Sequence, residues 1–292
     1  MNDRHSGRTR ALGRLGAVSA AVIMLAALAP AVAARGPSPV LSASASPPIV
    51  PVETTTYACG GYTLTIVNRH DALTLDPPAE PLPSLTVTAP DGTVVAEWKA
   101  SDLTEGAFYA WCRDVTADGT LELGYSLFSG GGHCCFTFVV LHLKAPETEL
   151  LRVNLHDVNR VTPRQLDRTP AHELVAADYR LAYMGDLPFA VTSPFPRVFA
   201  YRGGRYVEAT RSFPAYLRAD RKKALRDLAA CADAALGWSR KECERAVGLR
   251  IVALDILLRA PTSGISRLPL DLATRRWLLS MRAEVRRVLA TP

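Results

Sequence analysis

The hydrophobic period changes once along this chain, and that change limits the fold more than any other feature. From Tyr57 to Glu208 apolar residues alternate with polar ones in short runs, as in Tyr62-Thr63-Leu64-Thr65-Ile66-Val67. Leu85 to Thr88 and Thr93 to Ala96 flank the turn signal Pro90-Asp91-Gly92. Such runs with short connections predict antiparallel strands, about nine of them. Beyond Phe213-Pro214 the spacing becomes helical: Leu225, Leu228, Ala232 and Ala235 fall on one face. The reading is α+β, with a mainly antiparallel β module (a sandwich or partial propeller) over residues 57–213. A three-helix unit over 214–292 follows it.

Within that unit Ser239-Arg240-Lys241-Glu242 reads as a capping box opening the second helix. The run Ile251 to Leu258 is apolar nearly all round, so this helix is expected to be buried. The third helix, about Asp271 to Leu289, carries Trp277, Met281, Val285 and Val288 on one face and Arg275, Arg276, Arg286 and Arg287 on the other. Docking on the second helix is favoured over lying in a membrane interface, because the second helix needs a cover.

The N-terminus reads as an address. Arg4, Arg8, Arg10 and Arg14 precede the apolar run Leu15 to Ala29, and Ala31-Val32-Ala33 offers a cleavage site. Residues 1–33 are therefore expected to be a secretory signal cleaved near Ala33. Residues 34–56, rich in Pro, Ser and Ala, are expected to be a flexible leader. The mature chain is expected to be secreted, periplasmic or otherwise extracytoplasmic. Residues 34–210 hold 13 basic and 19 acidic groups, residues 211–292 hold 17 and 8. The basic half suits an acidic neighbour or a membrane surface, met through Arg275, Arg276, Arg286 and Arg287. Nucleic acid is an unexpected partner for an exported chain.

All six cysteines follow the signal segment, which predicts disulfides. Cys231 and Cys243 should staple the first helix hairpin. Cys134 and Cys135, taken as adjacent strand residues on opposite faces, are expected to bond Cys59 and Cys112 in either order, with a vicinal bond as the lesser alternative.

Asp114, Thr116, Asp118, Thr120 and Glu122 place oxygen donors around Gly119 in one loop. This spacing suits a hard cation, and calcium is the expected cofactor. Tyr125 stands where an EF-hand has its Glu, so an EF-hand is excluded. Asp157-Val158-Asn159 and His172-Glu173-Leu174 look like the start and end of a second, degraded copy.

Asp114 to Glu122 and the following Ser129-Gly130-Gly131-Gly132-His133-Cys134-Cys135 resemble a segment of uncharacterised exported bacterial proteins with an SGGAHCC-type motif. Their Asp-rich loops are similar to those of FG-GAP or VCBS repeats. The stretch Glu173 to Thr210 is similar to the continuation of that segment. Thr116, Gly132 and the broken second loop depart from the pattern. The resemblance implies export and a β-repeat unit.

No GxSxG, HExxH or phosphate-loop motif is present. The favoured function is a non-enzymatic, calcium-stiffened module binding a protein or glycan at the cell envelope. The alternatives are a secreted hydrolase built on pairs such as His156-Asp157 and His172-Glu173, or a membrane-surface or inhibitor protein using the basic helices.

Overall fold

The computed structural model describes residues 53–68, 83–99, 106–129, 135–233, 239–261 and 263–290. The expected signal segment, most of the leader and His133-Cys134 lie outside them. Among the described residues the alternating region forms twelve strands in three antiparallel sheets, each a meander of four consecutive strands. Sheet A holds β1 (Glu53–Cys59), β2 (Tyr62–Asn68), β3 (Ser84–Thr88) and β4 (Val94–Lys99). Sheet B holds β5 (Gly106–Arg113), β6 (Glu122–Phe128), β7 (Phe136–His142) and β8 (Thr148–His156). Sheet C holds β9 (Val161–Arg164), β10 (Glu173–Asp178), β11 (Phe195–Arg202) and β12 (Arg205–Glu208). This is the strand connectivity of successive propeller blades.

The larger strand count has local causes. β1 begins at Glu53, inside the expected leader, because Thr54 to Thr56 pair with β2 although their side chains are exposed. Pro163 hides β9 in the sequence. β9 is an edge strand, where a missing N–H costs no ladder bond.

The sheets stack face on face. Leu123, Tyr125, Leu127, Val139 and Leu141 of sheet B pack on Leu64, Ile66, Leu85 and Val87 of sheet A. The opposite face of sheet B, with Trp111, Phe138 and Val140, packs on Leu174, Ala176, Phe199 and Tyr206 of sheet C. Sheet B is thus covered on both sides, which is why β6 is buried along nearly its whole length. Each fully buried Leu or Val contributes about 2 kcal/mol from removed apolar surface. Trp111 ties the layers by donating its indole N–H to the Val161 carbonyl at 2.9 Å, and the Ser126 hydroxyl donates to the Asn159 carbonyl at 2.7 Å. Gly124 lies under the Trp111 ring.

The far face of sheet C, through Phe195, meets the helical unit. α1 (Pro214–Ala230) runs into a single 3-10 turn, Cys231–Asp233, and precedes α2 (Arg240–Leu257). A one-turn α3 (Ser263–Ser266) and α4 (Leu272–Val288) complete it. The capping box is present: the Glu242 amide donates to Ser239 Oγ at 3.2 Å, and the Ser239 amide donates to the Glu242 carboxylate at 2.8 Å. α2 is buried from Ala246 through Leu257, including Arg250 and Asp255. Those charges hold α1 in place: Arg250 pairs with Asp220 and Asp227, and Asp255 pairs with Arg221. α4 lays Trp277, Leu278, Met281, Val285 and Val288 into the same core, so its apolar face is spent on α2. No helix among the described residues is long and apolar enough to cross a membrane.

Cys231 and Cys243 are bonded as expected. Cys59 bonds Cys112, which corrects the expectation that each of them pairs with Cys134 or Cys135. Opposite facing holds only inside a strand, and Cys135 precedes β7 in the connection from β6. Cys135 is itself disulfide-bonded, its partner lying outside the described residues. These bonds point to an oxidising, extracytoplasmic compartment.

Gly124 gives a direct test of the layer packing. An added Cβ would stand 2.5 Å from the Trp111 ring. Gly124→Ala is expected to cost about 2 kcal/mol by overpacking, measured by urea unfolding. Adding Trp111→Leu should recover part of that loss relative to additivity. Equal stability of Gly124→Ala and the parent would show that the Trp111 ring has slack over β6.

Candidate metal centre

The loop between β5 and β6 folds around its own carboxylates. Asp114 Oδ1 accepts from the Ala117 amide at 2.7 Å, and Oδ2 accepts from the Gly119 amide at 3.0 Å. Both amide donors sit in left-handed backbone, at φ 61° and 86°; a glycine takes this conformation without strain. Asp118 Oδ1 accepts from the Thr120 amide at 2.8 Å. That amide, foremost, and the facing His142 hold the Asp118 carboxyl below the usual carboxylate range.

Glu122 opens β6 and is wholly buried. Its Oε2 accepts from the Val115 amide at 2.7 Å and the Thr116 amide at 3.2 Å. Its Oε1 accepts from the Thr116 hydroxyl at 3.1 Å and lies 2.6 Å from His142 Nδ1. The β6–β7 register sets His142 directly opposite Glu122. An ionised carboxylate only accepts, so Nδ1 carries the proton. Nε2 then faces outward, 3.6 Å from Asp118 Oδ2. Side-chain exposure rises outward from Glu122 at 0% through His142 at 14% to Asp118 at 45%.

Asp118, Glu122 and His142 therefore form a group that could hold a metal ion, each offering an atom within 4.8 Å of the others. Of the five oxygen donors singled out in the sequence, Asp118 and Glu122 belong to this group. Asp114 serves loop amides, Thr116 serves Glu122, and the Thr120 amide serves Asp118. His142 was missed because it lies outside the loop in sequence. The strand pairing carried the signal: aligning Phe128 with Phe136 across the hairpin puts His142 opposite Glu122.

The β9–β10 connection matches the β5–β6 loop at its end, and Asp157 does not begin it. Glu173 opens β10 and accepts from the Leu166 amide at 2.7 Å, with the same spacing as Val115 and Glu122. Asp157-Val158-Asn159 instead lies at the crossing from β8 to β9, and the loop counterpart is 165–172. Continuing the β10–β11 register sets Ala200 where His142 stands in the first copy, so no imidazole stands opposite Glu173. The two loops interlock. The His172 amide donates to the Val115 carbonyl at 2.8 Å, and Tyr206 Oη lies 3.1 Å from the carbonyls of both Val115 and His172.

The His172–Glu173 pair of the hydrolase reading does not converge on one point. Glu173 is committed to Leu166, while His172 faces Arg113 at 2.9 Å. His156 is exposed at the end of β8. A cleft of about 660 Å³ lies between sheet C and the helices, lined by Arg160, Arg164, Tyr216, Asp220 and Arg250 among others. A second, of about 450 Å³, involves His156, Arg180, Arg197 and Glu208. Neither is lined by Asp118, Glu122 or His142. No family model, curated protein or solved structure matches the chain.

Glu122 should govern the loop. Glu122→Ala leaves two buried amides and the imidazole without their acceptor, and a loss of about 3 kcal/mol is expected in denaturant unfolding. The depressed Asp118 pKa adds stability that is present above its unfolded value and lost as pH falls through the folded one. Asp118→Asn should flatten the acid limb of a stability–pH curve below about pH 4. An unchanged limb would mean that the Thr120 and His142 interactions persist in the unfolded chain or are screened away.

Proposed function

We propose that the protein is an exported, non-enzymatic binding module of the cell envelope whose β5–β6 loop is stiffened by a divalent cation between Asp118 Oδ2 and His142 Nε2. One observation carries this reading. The imidazole is oriented by a buried carboxylate, with its second nitrogen turned toward an exposed one. Metal-binding histidines are commonly arranged so, the outer carboxylate fixing the tautomer and raising ligand basicity. Glu122 is then the orienting group and Asp118 the second ligand.

A nitrogen ligand favours a borderline cation such as zinc. Calcium, suggested by the oxygen spacing, prefers an all-oxygen shell. It would draw on Asp118 and loop carbonyls and leave His142 aside. The partner in this reading is a protein or glycan met by the β module, and residues 1–33 are its export signal. The rim position of the group, outside both clefts described above, supports a stiffening rather than a catalytic role.

Thermal melting of the mature, oxidised protein in EDTA, zinc or calcium tests the proposal. A cation that binds only the folded state stabilises by about 2.7 kcal/mol at a hundredfold excess over its Kd. For a chain of this size that raises Tm by several degrees. The rise is expected with zinc, and should vanish in His142→Ala and in Asp118→Ala. A rise with calcium alone, kept in His142→Ala, would replace the imidazole site with an oxygen-only loop. No rise with either cation would remove the metal from the function.

A further inference from the structure

Four arginines from three elements line one small pocket in the helical unit. Arg211 comes from the turn after β12, Arg259 from the end of α2, and Arg282 and Arg286 from successive turns of α4. With Ile256 and Ala260 they enclose about 300 Å³, and no carboxylate lines it. Arg211, Arg259 and Arg286 are exposed and Arg282 is half-buried, so water screens their repulsion, and an anion entering the pocket meets donors from all three elements.

Most of the unit's acids are engaged elsewhere. Asp220 and Asp227 pair with Arg250, Asp255 with Arg221, and Glu244 with Arg240. Glu242 and Asp271 cap helices. Glu208, from the nearby β12, pairs with Arg180 and Arg197. Among the described residues, no ion pair joins Arg211, Arg259 or Arg286 to an Asp or Glu. The carboxyl end of α2 offers about half a negative charge, less than the charge of one guanidinium. Arg259 also holds a left-handed backbone, φ 55°, where a helix end usually has Gly.

We infer that this pocket binds a phosphoryl group. Guanidiniums present paired N–H donors that match phosphate oxygens bidentately, and 300 Å³ admits a phosphoryl head rather than an extended ligand. The group comes either from a soluble phosphorylated compound or from the headgroup of an anionic phospholipid. This inference is independent of the metal reading.

Pyrophosphate titration by calorimetry, with the mature oxidised chain at about 150 mM salt, reads the site directly. Saturable single-site binding is expected, weakened about tenfold or more in Arg211→Gln/Arg286→Gln. The charge-matched Arg275→Gln/Arg276→Gln, on the same helical unit but outside the pocket, should bind like the parent. Arg286→Lys keeps the charge but loses the fork, and should weaken binding without lowering Tm, which keeps the test valid if the double variant folds poorly. Co-sedimentation with phosphatidylglycerol vesicles, against phosphatidylcholine, separates the sources. Vesicle binding lost in Arg211→Gln/Arg286→Gln assigns a lipid headgroup, and pyrophosphate binding alone assigns a soluble compound. Equal weakening by both charge-matched pairs would reduce the site to diffuse attraction. No saturable binding of either probe would overturn it.

Discussion

A sheet covered on both faces has no water with which to satisfy its polar side chains, and sheet B is covered on both faces. Every polar group on β6 must therefore find a partner within the protein. Glu122 finds two amides, a hydroxyl and an imidazole, and Ser126 finds the Asn159 carbonyl. These are not decorations on a hydrophobic stack. They fix the β5–β6 loop to the start of β6 and sheet B to the segment that begins sheet C. Trp111 does the same from β5, and only a glycine at 124 leaves room for it. The lateral position of the sheets follows from these few directional bonds, since apolar burial alone has no preferred register between layers.

The helical unit solves the same problem with charge. α2 is buried over most of its length, yet it carries Arg250 and Asp255 inward. An unpaired buried charge costs several kcal/mol, and pairing offsets that cost only with good geometry. α1 supplies Asp220, Asp227 and Arg221 at the positions where α2 needs them. A shift of α1 by one turn along α2 would bury these charges unpaired, so they specify one alignment of the two helices. The Cys231–Cys243 bond closes the same hairpin at its other end.

Local signals were legible in the sequence; relations between distant segments were less so. The change of period at Phe213-Pro214, the capping box at Ser239 and the Cys231–Cys243 staple depend on residues near one another, and each was readable. The amphipathic α4 was readable because a nearly all-apolar α2 must be covered. β9 was not, because Pro163 breaks the pattern by which strands are recognised. The Cys59–Cys112 bond joins two sheets, and nothing within either segment states how the sheets stack. Glu122 was identified as the end of the loop, but as an oxygen ligand rather than a buried acceptor of backbone amides. That distinction depends on sheet C covering it. His142 required the strand register, which one residue of error would have turned to the opposite face.

The two copies of the loop show which part of the device is structural. Both end in a buried Glu that accepts a backbone amide seven residues earlier, and both have an Asp that accepts the amide two residues on. These features recur because a loop entering a buried strand must satisfy its amides wherever it occurs. The imidazole does not recur, since Ala200 takes its place opposite Glu173. Loop closure alone therefore does not require His142. The first loop has added to a common fold a ring whose outer nitrogen faces an exposed carboxylate. That addition separates the chemistry of the site from the scaffold beneath it.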